Sequence, residues 1–266
     1  MPRATAGPRH RFDGLAERYR RYRPGYPEAA MAAIGTACRE AGFAEPTALD
    51  VGAGTGISTR ALAAALGPGW RLLGLEPGLD MRETALRDLD GEANIYFQDG
   101  AAEALPAADG SVAVVQTAQA LHWFDRPAFY AEVGRVLVPG GFLFVLYNDR
   151  DPDAPLIREF EALMEGEIPD YSRHYRSFDY PAELAGLSWA IEATSNRFKW
   201  VWRLAPEDFA ELMLSRSLAK PWTRAVGEAE ARARLTALAR SHGAADGSVL
   251  LPYFTRLAQA RRGPRR

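Results

Sequence analysis

The sequence predicts an α/β protein with a doubly wound, mostly parallel sheet. Short apolar runs alternate with helical patterns over the first two thirds of the chain, and this alternation is typical of right-handed βαβ units. The first apolar run ends in three glycines at alternate positions, Gly52, Gly54 and Gly56, directly before a helical segment. Such a turn brings bare backbone close to a ligand at the carboxyl edge of a parallel sheet. The fold class and a ligand site are therefore predicted together.

Each element is predicted from the spacing of its apolar residues and from the turn residues that bound it. Strands are expected at Thr47–Val51, Trp70–Leu75, Ile95–Gln98, Val112–Thr117, Phe142–Tyr147, Asn196–Arg203 and Val249–Tyr253, the last continuing into Thr255–Leu257. Helices are expected at Ile57–Leu66, Leu79–Leu89, Arg126–Leu137, Leu156–Glu167, Pro206–Ser217 and Glu228–Ser241. The turn signals Glu76-Pro77-Gly78 and Pro139-Gly140-Gly141 end the second strand and precede the fifth.

The regular alternation breaks after Asn148. We therefore expect one domain, 1–266, that consists of a cofactor-binding core at 12–148, an inserted cap or lid at 149–195, and the C-terminal part of the sheet at 196–258. The sequence shows no internal repeat and no low-complexity linker that would favour a second domain.

The composition excludes several classes of function. The 266 residues are 47% hydrophobic and carry a formal net charge of −2, which gives no general attraction to nucleic acid or to a membrane. The single cysteine, Cys38, excludes an intramolecular disulfide and a cysteine-based zinc site. No apolar run approaches the roughly 18 residues of a membrane span, and the N-terminus lacks a signal-peptide pattern. We expect a cytoplasmic protein that acts on a small-molecule substrate and binds no metal, nucleic acid or membrane. The sequence makes no prediction of its oligomeric state.

The spacing of the glycines restricts the class of ligand that the loop could bind. A dinucleotide loop has the pattern G-x-G-x-x-G and holds a pyrophosphate at the helix N-terminus, but here Ile57 stands where its third glycine would fall. No Gly-Lys-Ser or Gly-Lys-Thr follows, which excludes a P-loop. Glu76 lies 24 positions after Gly52, at the end of the second strand, where a carboxylate would bind a ribose. A ligand with adenosine and ribose but no phosphates fits this pattern.

At this point the chain resembles the class I S-adenosylmethionine-dependent methyltransferases, whose fold is a Rossmann-like seven-stranded sheet. The segments that carry the resemblance are Leu49–Gly56, Gly74–Pro77 with Met81, Gly100–Pro106, Gln119–Asp125 and Arg135–Gly141. The N-terminal Phe12–Pro27, together with His122-Trp123-Phe124, is similar to the type 11 branch that includes trans-aconitate methyltransferase-like proteins. Several motifs in the right order are far more specific than the glycines alone.

The resemblance implies S-adenosylmethionine as cofactor and S-adenosylhomocysteine as product. The cofactor-binding residues that it implies are Tyr19, Tyr22, Arg23, Asp50, Gly52, Ala53, Gly54, Gly56, Glu76, Pro77, Met81, Gly100, Ala101, Ala102 and Gln119. The glycine loop would approach the methionine part, and Glu76 would accept hydrogen bonds from both ribose hydroxyls. Pro77 and Met81 would enclose the adenine. Many relatives have an Asp at the position of Ala101, so that contact to the adenine is left to the backbone or a neighbour.

Several of these residues have a plainer explanation. Asp50 is expected either to organise the loop or to accept from the cofactor's ammonium group. Tyr19 and Tyr22 lie three positions apart, so that packing on one helix face explains them equally well. Arg23 would pair with the cofactor's carboxylate, or it is a surface arginine near a basic terminus. Gln119 would line the sulfonium side or hold a loop in place.

His122 is the candidate general base. It follows the fourth strand at the carboxyl edge of the sheet, and the ordinary pKa of histidine suits proton abstraction. The alternative is that His122 and Trp123 are packing residues of a family motif. The candidate substrate-binding residues are Trp123, Tyr147, Asn148, Tyr171, Arg173, His174, Tyr175 and Arg176. The aromatic and basic stretch 171–180 would form a lid over the cleft, or a surface excursion.

The sequence therefore predicts transfer of a methyl group to a small-molecule acceptor. Its richness in Ala, Arg and Gly is typical of high-GC bacterial genes, which often encode natural-product tailoring enzymes. Three alternatives stay open: an enzyme that uses the same cofactor for a cyclisation or rearrangement, a non-catalytic binder on the same fold, and a nicotinamide-dependent dehydrogenase, which Ile57 disfavours.

Overall fold

The fold is organised around one seven-stranded sheet. The computed structural model describes residues 14–44, 46–89, 91–169, 171 and 178–264. Within them the strands are β1 (Thr47–Val51), β2 (Arg71–Leu75), β3 (Ile95–Gln98), β4 (Val112–Ala118), β5 (Leu137–Arg150), β6 (Ala190–Leu204) and β7 (Val249–Arg262). Their order is β3-β2-β1-β4-β5-β7-β6, in which β7 pairs antiparallel with β5 and β6 and all other pairs are parallel. The predicted α/β fold with a mostly parallel, doubly wound sheet is confirmed.

The described residues form ten α-helices, of which the first two precede β1 and the others lie between strands. They are α1 (Ala16–Tyr22), α2 (Glu28–Ala41), α3 (Ile57–Leu66), α4 (Leu79–Arg87), α5 (Arg126–Val136), α6 (Pro155–Glu167), α7 (Tyr180–Ala185), α8 (Pro206–Leu214), α9 (Lys220–Val226) and α10 (Glu228–Ser241). Proline at the first turn begins five of them, where its missing N–H costs nothing. No helix in this part of the chain is long and apolar enough to span a bilayer.

Two apolar layers cover the two faces of the sheet, because alternate strand residues point to opposite sides. Val115 and Val145 pack on one face with α5 and α7. Val114 and Phe144 point the other way and pack with α2 and α3. Strands buried on both faces explain the nearly continuous apolar runs of the sequence.

A third apolar cluster joins four helices, which we call the cap helices: α6, from the segment 149–195 predicted as the cap, and α8, α9 and α10, which lie C-terminal to that segment. Phe160 of α6, Phe209 of α8 and Trp222 of α9 are fully or almost fully buried in it. Strand β5 makes its last pair at Arg150 opposite Tyr253, whereas β6 and β7 continue as a two-stranded ribbon beyond that point. The helices between β6 and β7 therefore stand beyond the carboxyl edge of the sheet, beside α6.

Strand β6 begins earlier than the sequence predicts. The expected start was Asn196, but the strand extends back to Ala190, into the segment 149–195 predicted as the cap. The edge position of β6 leaves Glu192, Ser195 and Asn196 exposed, and so this half of the strand lacks the apolar signal of the buried strands. The division into core, cap and C-terminal part stays a prediction.

Helix α1 bridges the core and the cap helices. From its exposed face, Arg18 pairs with Glu211 of α8 at 2.8 Å. Glu17 accepts from Arg87 of α4 at 2.6 Å, and Arg20 reaches Asp88 just after α4. Exposed pairs contribute little individually, but together they set the position of α1 between the two parts of the molecule.

Candidate cofactor and acceptor site

A cavity of about 400 Å³ lies at the carboxyl edge of the sheet. The glycine loop after β1 and the ends of β4 and β5 form one side of it. The α1 segment, α6 and the end of α8 form the other side. Ligands of open α/β sheets bind at this edge, and the volume is within the ordinary range for small-molecule sites. The sequence-predicted site therefore coincides with a cavity.

The three glycines of the loop have different surroundings. Gly52, Gly54 and Gly56 all have positive φ, at 75°, 57° and 78°. A Cβ on Gly52 would lie 2.5 Å from the Cβ of Ala120, and one on Gly56 would lie 2.8 Å from the ring of Phe97. A Cβ on Gly54 would meet nothing within 4 Å. Gly54 is thus the glycine whose missing side chain leaves room for a ligand, while the other two allow close packing within the protein.

Asp50 fixes the start of α3. Its side chain is 1% exposed and accepts hydrogen bonds from Ser58 Oγ at 2.6 Å and Thr59 Oγ1 at 2.7 Å. Gln116 Nε2 adds a longer contact of 3.3 Å. Burial raises the pKa of Asp50, against the effect of these donors. This geometry favours the expectation that Asp50 organises the loop.

Glu76 closes the glycine loop from β2. Its two carboxylate oxygens accept from Gly54 N at 2.9 Å and from Gly78 N at 2.8 Å. Burial raises the pKa of Glu76, and the two backbone donors act in the opposite direction. Each carboxylate oxygen has a second lone pair, so the pair can still accept from a vicinal diol. Ala53 N, which donates to Leu75 O at 3.0 Å, holds the loop against β2.

The predicted adenine-side residues cluster around the ends of β2 and β3. Met81 is 4% exposed and Ala102 is 5% exposed, while Pro77 and Gly100 are partly exposed. Ala101 is exposed and bridges to Ala104. None of these residues lines the cavity described above. Their contact with a cofactor stays a prediction.

The N-terminal segment contributes Tyr19 and Arg23 to the cavity wall. The Arg23 guanidinium lies 4.7 Å from the centre of the Tyr19 ring and donates to Ser215 Oγ at 2.9 Å. Tyr22 instead packs against the third apolar cluster, which joins α6 to α8, α9 and α10. The structure thus brings two of the three predicted residues to the cavity and directs the third into apolar packing.

Gln119 and Asn148 connect the ends of β4 and β5. Gln119 has a φ of 62°, an uncommon conformation for a residue other than glycine, and its Nε2 donates to Asn148 O at 3.2 Å. The Asn148 side chain donates to Gly25 O at 2.8 Å and accepts from Thr255 Oγ1 at 2.6 Å. Both residues line the cavity. Asn148 also ties the N-terminal segment to the sheet.

His122 lies in a 3₁₀ turn, Leu121–Trp123. Tyr147 Oη accepts from its backbone N at 3.1 Å and lies 3.0 Å from Nδ1. The Trp123 ring lies 4.1 Å from the imidazole centre, and Tyr147 packs against Phe178. His122, Trp123 and Tyr147 are not among the described residues that line the cavity. They form an aromatic group beside it.

The cap side of the cavity holds charged residues that sequence reasoning missed. They are Arg150, Glu161, Arg216 and Arg256. Tyr171 was predicted, and its hydroxyl donates to Glu161 Oε2 at 2.7 Å. These charged residues lie singly in different elements, and no local motif could have identified them. The predicted Arg173, His174, Tyr175 and Arg176 lie outside the described residues.

The loop residues fit an adenosyl cofactor. Thr55 Oγ1 is buried at the cavity wall and has no hydrogen-bond partner among the residues that the structure describes. Gly54 is open to the cavity, and Glu76 follows β2 at hydrogen-bond distance from the loop. No cluster of potential metal ligands occurs in the described part of the chain. The strand order and this loop together define a protein that binds a nucleoside-type cofactor at the edge of a doubly wound sheet.

Comparisons with known proteins give the family. A model of the type 11 methyltransferase domain matches residues 49–145. An uncharacterized methyltransferase of Mycobacterium tuberculosis is 30% identical over 250 residues, which are 92% of each chain. A Dictyostelium discoideum protein named as a methyltransferase is 32% identical over 135 residues, and the match spans 48% of its length. A solved structure assigned as a type II methyltransferase from Anaeromyxobacter dehalogenans superposes with a TM-score of 0.65 at 25% identity, covering 92% of this chain and all of that one.

The chain belongs to the class I S-adenosylmethionine-dependent methyltransferases. Its cofactor is S-adenosylmethionine, as predicted from the spacing of the glycines and the downstream motifs. The dehydrogenase alternative is thereby excluded. The narrower likeness to trans-aconitate methyltransferases stays a prediction.

Proposed function

We propose that this methyltransferase acts on a small-molecule acceptor bound in the cavity between the glycine loop and the cap helices. The observation that supports this most directly is the shape of the site. The α1 segment covers it from one side and α6 and α8 from another, which leaves a cavity suited to a small ligand rather than an open groove for a polymer.

Bound S-adenosylmethionine supplies a methyl group on a sulfonium, and in-line transfer to the acceptor leaves neutral S-adenosylhomocysteine. The protein contributes alignment and exclusion of water. We assign the backbone at Gly54 and the Thr55 hydroxyl to the methionine part and Glu76 to the ribose hydroxyls. We assign Arg23, which contacts the Tyr19 ring and Ser215 Oγ, to the cofactor's carboxylate.

The test follows the methyl group. Purified protein is incubated with methyl-labelled S-adenosylmethionine and a bacterial extract, which is then separated into a small-molecule filtrate and a macromolecular fraction. Label in the filtrate, reduced with the Glu76→Ala variant at a limiting concentration of S-adenosylmethionine, supports the proposal. Label confined to protein, nucleic acid or lipid contradicts it. Release of S-adenosylhomocysteine in step with product distinguishes methyl transfer from a cyclisation or rearrangement.

His122, which lies beside the cavity and not in its wall, is proposed as the general base for a protonated acceptor that extends from the cavity to the imidazole. Removal of a general base typically lowers the rate by about 10²–10⁴-fold, so His122→Ala should lower kcat by that factor between pH 6 and 9. Tyr147→Phe is the control, because it removes the hydroxyl that contacts Nδ1 and keeps the imidazole. Unchanged turnover of His122→Ala would remove the assignment. A place in natural-product biosynthesis is a further proposal, supported by composition.

A further inference from the structure

We propose that the acceptor carries an anionic group, a carboxylate or a phosphate, which Arg150 and Arg216 bind at the cap end of the cavity. This inference rests on the proposed function, because it names the class of small molecule that the cavity receives.

Two arginines are held side by side with little access to solvent. Arg150 ends β5 and Arg216 follows α8, and their side chains are 13% and 9% exposed. Both guanidinium groups lie 5.4 Å from the centre of the Phe160 ring, and both residues line the cavity. Like charges brought together away from water repel each other strongly, so an anion between them would be stabilised.

Within the described residues, the Glu161 carboxylate contacts both arginines, and both contacts are long. Glu161 Oε1 lies 3.3 Å from Arg150 Nη2 and 3.8 Å from Arg216 Nη1, whereas charge-assisted bonds are usually about 2.7–2.9 Å. The other oxygen of Glu161 accepts from the Tyr171 hydroxyl. For Arg150, Glu161 Oε1 at 3.3 Å is the charged acceptor that the described residues provide.

Arg150 also donates to a weak acceptor, which a bound anion would replace with a stronger one. Its Nη1 points at Met213 Sδ at 2.9 Å, and a thioether is a weak acceptor. Guanidinium groups bind carboxylate or phosphate oxygens through two parallel N–H groups. An acceptor anion in the cavity would replace the sulfur with a charged oxygen. Burial and the neighbouring Arg216 lower the pKa of Arg150 to about 10, which accords with a positive environment.

The charge of the whole cavity wall points in the same direction. Among the described residues, the charged side chains that line it are Arg23, Arg150, Arg216, Arg256, Asp149 and Glu161. Arg256 pairs closely with Asp149, at 2.6 Å. The described part of the wall therefore has more positive than negative side chains, although the chain has a net charge of −2, and the sulfonium of the cofactor adds positive charge. A cationic acceptor would be repelled, and an anionic one attracted.

The test measures anion binding to the full chain saturated with S-adenosylhomocysteine. The probes are inorganic phosphate and succinate, with succinamide as the uncharged counterpart of succinate, and the readout is calorimetry. Phosphate or succinate should bind, and succinamide should not. Arg150→Met should weaken the binding of phosphate and succinate at least tenfold. Arg158→Met, on the exposed side of α6, should leave their binding unchanged. Glu161→Gln removes the competing carboxylate and should strengthen binding severalfold.

Three results would overturn the inference. The first is that neither anion binds more tightly than succinamide. The second is that Arg158→Met weakens binding as much as Arg150→Met. The third is that Glu161→Gln weakens binding although the variant still binds S-adenosylhomocysteine with wild-type affinity, which shows that it is folded. Arg150→Lys, which keeps the charge, replaces Arg150→Met if the latter does not fold.

The cofactor also has a carboxylate, which the two arginines could bind in place of an anionic group of the acceptor. A further measurement distinguishes these two anions. S-adenosylhomocysteine contains that carboxylate and 5′-methylthioadenosine lacks it. If Arg150→Met weakens the binding of S-adenosylhomocysteine tenfold and leaves the binding of 5′-methylthioadenosine unchanged, the arginines bind the carboxylate of the cofactor and the inference fails. The proposal of a small-molecule acceptor is not affected by that result. Labelled methyl found in macromolecules would contradict the proposed function without changing the anion measurements.

Discussion

The two sides of the cavity are built in different ways. On the glycine-loop side, Gly54 and Thr55 line the cavity. Glu76, from the neighbouring strand end, holds their loop through backbone N–H groups. On the cap side, Arg150, Glu161 and Arg216 come from separate elements, and only their side chains meet. The first side is fixed by local backbone geometry, and the second depends on how the cap helices pack. We propose that the first side binds the cofactor, which the family shares, and the second side the acceptor.

The largest expected effect tests the rigid side. Gly52→Ala places a Cβ 2.5 Å from the Cβ of Ala120 at a φ of 75°. A left-handed residue costs about 1–2 kcal/mol and overpacking about 1–3 kcal/mol, so the free energy of unfolding in urea should fall by about 2–5 kcal/mol. Gly42→Ala, with a φ of 64° and open space around its Cβ, is the control and should lose only the first contribution. Equal losses would show that the loop does not need close packing at Gly52.

An intermediate effect is expected where the two sides meet. Asn148→Ala removes a donor to Gly25 O and leaves the buried Thr255 hydroxyl without its acceptor, which costs about 1–3 kcal/mol of unfolding free energy. Amide exchange in residues 23–27 should accelerate, because the N-terminal segment loses its tether. Thr255→Val breaks only one of the two bonds and should leave that exchange unchanged. A matching acceleration in Thr255→Val would mean that Asn148 is not the tether.

The smallest effect concerns pH. Burial raises the pKa of folded Asp50 above its unfolded value, so above about pH 4 the folded state holds a proton that the unfolded state has lost. The unfolding free energy therefore falls as pH rises through this window, at most by about 1.4 kcal/mol per pH unit. Asp50→Asn lacks this titration, and the stability difference, wild type minus variant, should decrease between pH 4 and pH 6. A difference that grows with pH would contradict the raised pKa.

The glycine-loop side of the cavity could be predicted from the sequence because the residues that form it lie close together along the chain. The pattern of Gly52, Gly54, Gly56 and Glu76 specifies a turn and a carboxylate within two βα units. The strands and helices around it follow from apolar spacing, and the seven-stranded sheet followed from the family resemblance. The structure then refined the roles, since Gly54 faces the cavity while Gly52 and Gly56 face Ala120 and Phe97.

The cap side could not be predicted in the same way. Arg150, Glu161 and Arg216 look like ordinary charged residues in the sequence, and only the packing of α6 against α8 brings them together. Sequence reasoning assigned acceptor binding to Trp123, Tyr147, Asn148 and the stretch 171–180. Of the described residues among these, Asn148 and Phe178 line the cavity and Tyr171 contacts Glu161. Which helix face meets a neighbour depends on tertiary contacts that apolar spacing does not encode.

The central claim is that the two sides bind different ligands, and one measurement tests it most directly. The dissociation constant of S-adenosylhomocysteine is determined by calorimetry for wild type, Glu76→Ala and Arg150→Met, with the exposed Glu83→Ala as control. Loss of a charged acceptor of two hydroxyls costs about 1.5–3 kcal/mol, so Glu76→Ala should bind roughly ten- to hundredfold more weakly, while Arg150→Met and Glu83→Ala stay within about twofold of wild type. Unchanged binding in Glu76→Ala, or a tenfold loss in Arg150→Met, would contradict this account.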